Sequence, residues 1–426
     1  MTARRHGPPP GTAGGGTPLS IAAGEGTALP LATFIALGLP TGALGVAWPA
    51  IRSSFDAPLG GLGLLLGLGS LASLATTVLT GFLSRRLGPN GLVAVACAGS
   101  ALTLLALAAA PAWWLAVLAW VLWAALTGPL DAGINANLAL HRGIRLMGWL
   151  HASWAMGAAL GPVLIGAALL LSGSWRPAYA ATAVAWAVLG MATLRGRPYR
   201  SEETFETGNT PTPTLPHRGG GRFPGSTIAP TLPHRGRGEL RQHLPQPVLI
   251  AAGVFFVNFG IEISGGQWPF TQLTTGRGLD PLLAGWGAAL YWLALTGGRA
   301  GLGVVGHRFA SSALLGASAL LAVLGSLAFW LLPAPLAAVL ALPALGLSSS
   351  VVVPVTYKLL PQRVPPQTAT RATGYVAAAG LVGGAVIPPA IGLGFQLRGP
   401  WVLGPALVVL ALLFSILQRA LTGGSR

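Results

Sequence analysis

Acid is scarce in this chain. Of its 426 residues only nine are Asp or Glu, against 25 Lys and Arg, and charged residues of both signs make up 8%. A soluble domain carries about 25%, so there is too little polar surface here to cover a globule in water. Cysteine occurs once, as Cys97 inside an apolar run, which rules out an intrachain disulfide and argues against redox chemistry. Metal-ligand spacing, a phosphate-cradling glycine loop and a nucleophile–base pair are all missing, so neither an enzyme nor a cofactor is expected. The formal charge of +16 is scattered along the chain rather than gathered on one face, which excludes a nucleic-acid surface.

What the chain has instead is oil. Hydrophobic residues reach 53% and the mean hydropathy is +0.67. Apolar stretches of about 20 residues mark membrane spans, and in lipid only helices among simple segments satisfy their own backbone polar groups. Spans are predicted at 28–50, 60–80, 91–110, 113–140, 146–171 and 177–194, then at 247–270, 282–304, 311–332, 335–357, 372–396 and 400–418. The organisation expected is a tail at 1–27, a six-helix unit at 28–194, a linker at 195–246, a second six-helix unit at 247–418 and a tail at 419–426. Arg4, Arg5, Arg85, Arg86, Arg142, Arg145, Arg308, Lys358, Arg363, Arg371, Arg419 and the linker arginines gather on one side. Only Arg52, Arg176, Arg277 and Arg398 fall on the other. Basic loops face the cytoplasm, so a multi-pass protein of the inner (plasma) membrane with both termini cytoplasmic is expected. The Gly/Pro-rich N-terminus lacks the short apolar core of a signal peptide and reads as a disordered tail. The linker holds a direct repeat, TLPHRGGG at 214–221 and TLPHRGRG at 231–238, and reads as a disordered spacer.

The two halves echo one another. VAWPAIRSSFDAPLGGLG (46–63) returns as GQWPFTQLTTGRGLDPLLAGWG (266–287), aligning Asp56 with Asp280, and GFLSRRLG (81–88) returns as GVVGHRFA (303–310). Both markers are offset by about 220 residues, which implies a duplicated six-helix unit. Paired repeats with a site at their interface are a transporter architecture.

At these residues the chain resembles the major facilitator superfamily. Gly81, Leu83, Arg86 and Gly88 match the superfamily's loop between the second and third helices, with Arg85 where an Asp is usual. The stretches DAGINANLALHRGIRLMGWLHASWAMGAALGP (131–162), GIEISGGQW (260–268) and YWLALTGGRAG (291–301) resemble its fucose-permease-like branch. The resemblance implies an all-α membrane protein of twelve helices in two pseudo-symmetric six-helix bundles, working as a monomer. It also implies proton-coupled symport of a small polar solute such as a sugar. A competing pattern, Gly148, Gly157, Gly161-Pro162 and Gly166, is similar to helix five of drug/proton antiporters and keeps export by antiport as the alternative. Gly81, Arg85, Arg86, Gly88 and Arg308 are assigned to the conformational loops. Arg299, two turns inside its helix, joins them as a residue that snorkels to the cytoplasm or pairs across the loop.

Seven of the nine acids lie in tails, loops or near the interface; Asp131 and Glu262 lie inside spans. A charge at mid-bilayer costs roughly 2.5–3.5 kcal/mol on insertion scales, so such a residue faces a cavity or a partner, and a group that alternates between charged and neutral suits proton coupling. Asp131 and Asn135 are four apart and share a helix face. Treating the fourth and fifth helices as a tight hairpin turning near Gly143 puts Asn135 and His151 each about 12 Å from the turn, where Asp131, Asn135 and His151 would meet. Asn258 and Glu262 repeat the amide–carboxylate spacing in the second half. Proton coupling is therefore assigned to Asp131, Glu262 and His151, and substrate binding to Asn135, Asn258, Trp154, Gln267, Trp268 and Trp292. The expected partners are a small-molecule substrate, a proton or a sodium ion, and the lipid bilayer, with no nucleic acid. A sensor built on a transporter body is the reading from another class, and it predicts no solute flux.

Overall fold

The computed structural model describes residues 27–141, 144–196, 199 and 244–423. Most of the tail expected at 1–27, most of the linker with both TLPHRG copies, residues 424–426, and Arg142 lie outside the described residues.

Helix is the only regular element among the described residues. The first half comprises α1 (Ala28–Phe55), α2 (Gly61–Thr77), α3 (Thr80–Ala109), α4 (Trp113–His141), α5 (Ile144–Ser172) and α6 (Arg176–Gly196). The second comprises α7 (Gln246–Gln267), α8 (Pro281–Val305), α9 (Ser311–Leu331), α10 (the span Ala334–Gln362), α11 (Pro366–Arg398) and α12 (Leu403–Gly423). Eleven are long and apolar enough to cross a membrane. The exception, α2, has 17 residues and is completed by the start of α3. At Gly88, with φ 68° and ψ 164°, the backbone leaves the helix, and Pro89 brings no amide hydrogen to continue the ladder. Residues 80–87 therefore extend the second span and 89–109 form the third. This corrects the loop expected at Gly81–Gly88: it is helical as far as Gly88. The helix also brings the Arg86 guanidinium over the Phe82 ring, 4.7 Å from its centroid.

Packing repeats by a fixed rule. In the first half α1 packs on α5, α3 on α6 and α4, and α2 on α4. Six helices later the same contacts recur: α7 on α11, α9 on α12 and α10, and α8 on α10. The halves meet through α5 on α8 and α2 on α11, a pair of contacts that the same rule exchanges. The two bundles are therefore pseudo-symmetric copies. The symmetry does not extend to Asp56 and Asp280. Asp56 ends α1 in a left-handed conformation, whereas the Asp280 carboxylate accepts from the amides of Leu282 and Leu283 and caps α8.

Twelve spans return the chain to the face it started from, so residues near 27, 196, 246 and 423 share one face, the terminal face. On the opposite face two arginines are tied to helix ends. Arg176 donates to the Ala108 carbonyl at 2.7 Å, and Arg277 donates to the carbonyls of Phe329 (2.7 Å), Leu332 (3.0 Å) and Trp330 (3.1 Å) at the end of α9. Carbonyls at a helix C-terminus carry partial negative charge, and here they offset the burial that pulls the Arg277 pKa below its ordinary value.

Candidate functional site

The centre of the molecule is set by how closely α1 and α5 approach. A Cβ at Gly157 would fall on the Ile35 carbonyl, and one at Gly42 on the Ala158 carbonyl. Only glycine permits that contact, so Gly157 and Gly161 of the α5 pattern pack helices closely, as small residues do in membranes, whereas a Cβ at Gly148 or Gly166 would meet nothing within 4 Å. The approach seats His151 and Trp154 of α5 beside Phe34 of α1 and α8 of the other half. His151 meets the Phe34 ring edge-on at 6.2 Å.

Across the gap, α7 and α8 bring together the two charges of the second half. Nη2 of Arg299 donates to Oε1 of Glu262 at 3.0 Å and to Oε2 at 3.3 Å, with the side chains 13% and 7% exposed. The placement of Arg299 in a loop-pairing role is thus corrected. An isolated cation this deep would be unsupported, and the nearest acid is on the neighbouring span rather than at the terminal face. The Tyr291 hydroxyl donates to the Glu262 carbonyl at 2.7 Å, fixing α8 on α7 at this level. Trp292 stands edge-on to both Tyr291 (5.0 Å) and Trp154 (5.6 Å), the geometry aromatic quadrupoles favour. The Arg299 guanidinium lies 6.0 Å from the Trp154 ring, and His151 is within its electrostatic field. One cluster from both halves therefore contains Glu262, Arg299, His151, Trp154, Trp292 and Phe34. Two buried donors beside it have no partner among the described residues: Asn258 Nδ2, one turn before Glu262, and Trp292 Nε1.

Asp131 stands apart from this cluster. Asn135 Nδ2 donates to its carboxylate at 3.1 Å and to its backbone carbonyl at 3.0 Å, the pairing the spacing predicts. Leu118 and Leu122 of α4 are exposed on the apolar outer surface of the bundle. Nine residues separate Leu122 from Asp131, two and a half turns, so Asp131 points away from the lipid. Among the described residues no hydrogen bond or ion pair joins Asp131 to His151. The hairpin expected of α4 and α5 explains the difference: α4 packs on α2 and α3 and α5 on α1 and α8, and the two touch little.

The two residues expected at the substrate near the end of α7 are bonded to backbone, Gln267 across the halves and Trp268 within its own half. Gln267 donates across the halves to the Thr41 carbonyl at 2.7 Å. Trp268 donates to the Pro388 carbonyl at 3.2 Å and packs on Phe395 at 4.4 Å between ring centroids. Nearby, the Gly60 amide donates to Oε1 of Gln396 at 3.1 Å, and a Cβ at Gly63 would stand 2.9 Å from Pro389 Cα. These contacts lie towards the face opposite the termini. There the apolar core runs unbroken from the first half into the second through Trp268, Phe270, Trp292 and Phe395. At the terminal face the second half has its own core, around Val248, Leu360, Val376 and Leu421, unconnected to the first. The halves thus share one apolar core on the side opposite the termini, while on the terminal side the second half's core is separate, and His151 is exposed. Gly81, Arg85 and Arg308 lie on the terminal side of their spans, with Arg308 exposed at the end of a short 3-10 turn. Sequence reasoning missed Phe34 and the Arg299 partnership. The signal available for the latter was that Glu262 and Arg299 are the deepest opposite charges of one half.

Residues 31–263 match the family model of the Major Facilitator Superfamily. No curated protein matches the chain. Among solved structures the chain is similar to a mutant of the nucleoside transporter NupG, with a TM-score of 0.67 and 14% identity over 93% of this chain and 99% of that one. It is likewise similar to a D-xylose-proton symporter, with a TM-score of 0.67 and 14% identity over 91% and 96%. At this identity the likeness is one of fold.

Proposed function

From the premise that this chain belongs to the Major Facilitator Superfamily, and is a membrane transporter rather than an enzyme, we propose that it carries a small polar solute by proton-coupled symport. The observation that carries the reading is the ion pair of Glu262 with Arg299 inside the membrane, beside Trp154 of the other half. A carboxylate holding a guanidinium is a two-position switch. Deprotonated, it binds Arg299; protonated, it releases it. The solute site is the surround of that pair: half-buried Trp154 offers its ring, buried Trp292 backs it edge-on, and Asn258 offers an amide donor with no partner among the described residues. A sugar ring would be accommodated by these groups, its CH face on an indole and its hydroxyls on the amide.

Alternating access follows from where the halves touch. With the termini in the cytoplasm, as the basic residues indicate, the side with the shared core is the outer one and the halves open inward. Gln267–Thr41 and Gly60–Gln396 are the polar links that part when the outer side opens. His151, exposed beside Phe34 and within the electrostatic field of Arg299, is the group that passes the proton. Asp131 is the second acid of the set.

A sodium-coupled reading has one observation in its favour. Oδ1 of Asn135 is buried without a partner among the described residues, beside the Asp131 carboxylate, and those oxygens suit a hard cation. Proteoliposomes carrying a pH-sensitive dye separate the two. Adding solute alkalinises the solute side under proton symport with no sodium present; a requirement for sodium with no pH change removes Glu262–Arg299 from the coupling role.

A further inference from the structure

We propose that the cargo is a small organic anion, a carboxylate or an equivalent compact oxyanion, moved together with one proton in an electroneutral cycle. The proposal rests on the coupling role assigned above to Glu262, and it follows from the charges and donors around the pair.

Donors come first. Glu262 is held by a single guanidinium nitrogen, Nη2. Among the described residues no protein acceptor is bonded to Nη1 or Nε of Arg299. A guanidinium presents its donors as a planar fork that matches a carboxylate, so half of that fork is left for a ligand. Two further donors of α7 and α8, Asn258 Nδ2 and Trp292 Nε1, are buried with no partner among the described residues. Their residues are each 1% exposed, and buried donors are bonded in nearly all native states. An oxyanion supplies acceptors to these donors and to the open half of the fork.

Charge comes second. The elements packed around the pair bring few other charges. His151 comes from α5 and Tyr291 from α8 itself; α10 brings Ser348, Ser349 and Ser350; α1 brings Phe34; α11 faces α7 with Gly383, Gly384 and Ile387. Asp131 is bonded within its own helix. With His151 neutral, the empty site is a neutral ion pair. A proton alone on Glu262 leaves Arg299 an unpaired cation, and an anion alone leaves an unpaired negative charge. A proton with an anion restores neutrality: protonated Glu262 releases the fork and the anion takes it. Unpaired charge is costly away from water, so only the empty and the doubly loaded forms cross readily. Coupling is thereby obligatory and no net charge moves. A neutral sugar carried with a proton would instead leave the site positive and the cycle electrogenic.

The test uses the full chain in proteoliposomes with an imposed pH gradient and the membrane potential clamped by potassium and valinomycin. The probes are labelled lactate, gluconate and glucuronate beside glucose and xylose, and solute-induced changes in tryptophan fluorescence report binding. The proposal predicts that at least one carboxylate accumulates, approaching about tenfold per pH unit, at a rate unchanged when the clamped potential is reversed. Arg299→Gln abolishes that uptake, while Glu262→Gln exchanges the anion without response to pH. A neutral sugar that accumulates with an inward current keeps the proton-coupled reading and overturns the anionic cargo. Carboxylate exchange in the unmodified protein that ignores the pH gradient overturns both. If no carboxylate moves or alters the fluorescence, the anionic cargo is also overturned.

Discussion

Replacing Arg299 by Leu isolates the energetic content of the intramembrane pair. At 3.0 Å, and with an effective dielectric of about 20, the Coulomb attraction between Arg299 and Glu262 is about 5–6 kcal/mol before desolvation is subtracted. The variant leaves a carboxylate that is 7% exposed and has lost its counter-ion, and breaking a buried pair in this way costs about 3–5 kcal/mol. Desolvation of both groups is removed in the double variant Arg299→Leu, Glu262→Leu, which is expected within about 1 kcal/mol of the parent. Glu262→Leu orphans the guanidinium at a similar cost, so the coupling energy of the cycle is about 5–9 kcal/mol. Thermal unfolding in detergent, followed by tryptophan fluorescence, measures it. Acid supplies an internal check with a definite sign: protonating the orphaned Glu262 removes the unpaired charge, so the deficit of Arg299→Leu shrinks as pH falls while the double variant stays flat. Additive single effects, or a deficit that grows in acid, would refute the reasoning.

Other outcomes follow from the packing. Gly157→Ala drives a Cβ onto the Ile35 backbone and is expected to lower stability by about 1–3 kcal/mol, whereas Gly148→Ala, where a Cβ meets nothing within 4 Å, leaves the melting temperature unchanged. Arg277→Ala removes charged donors from three carbonyls at the end of α9 and is expected to cost about 1.5–3 kcal/mol in the same melting assay. Asp131→Asn is expected to slow proton-driven uptake in proteoliposomes without abolishing it, because Asp131 is bonded to Asn135 rather than to the charged pair; complete loss would make Asp131 the coupling acid instead.

How much of this was legible follows from which forces act locally. A lipid solvent imposes long apolar helices, so the spans and their duplication read directly from hydropathy and from the two echoed motifs. The Asp131–Asn135 bond was legible for the same reason, since both ends lie on one helix four residues apart. Arg299 was not, because its partner is 37 residues away on another helix and only the packing of α8 on α7 brings them together. Gln267 and Trp268 misled for a related reason. An amide and an indole near the end of a span look like solute ligands, yet here Gln267 bonds across the halves to the α1 backbone and Trp268 bonds within its own half to that of α11. The helix break fell at Gly88 rather than ahead of Gly81 because the left-handed backbone and the following proline outweigh the polar residues between them. The expected meeting of Asp131 with His151 rested on treating chain neighbours as packing neighbours, which these interleaved bundles do not obey.

The most direct test compares accumulation with exchange in Glu262→Gln, once a transported solute is in hand. Glutamine keeps the size and a hydrogen-bond acceptor for Arg299 but takes up no proton. Labelled solute is measured twice in the same proteoliposomes, as net uptake down a pH gradient and as counterflow against unlabelled solute. The predicted result is loss of gradient-driven accumulation with counterflow retained. Accumulation that survives at the level of the parent protein would contradict the assignment of coupling to the Glu262–Arg299 pair.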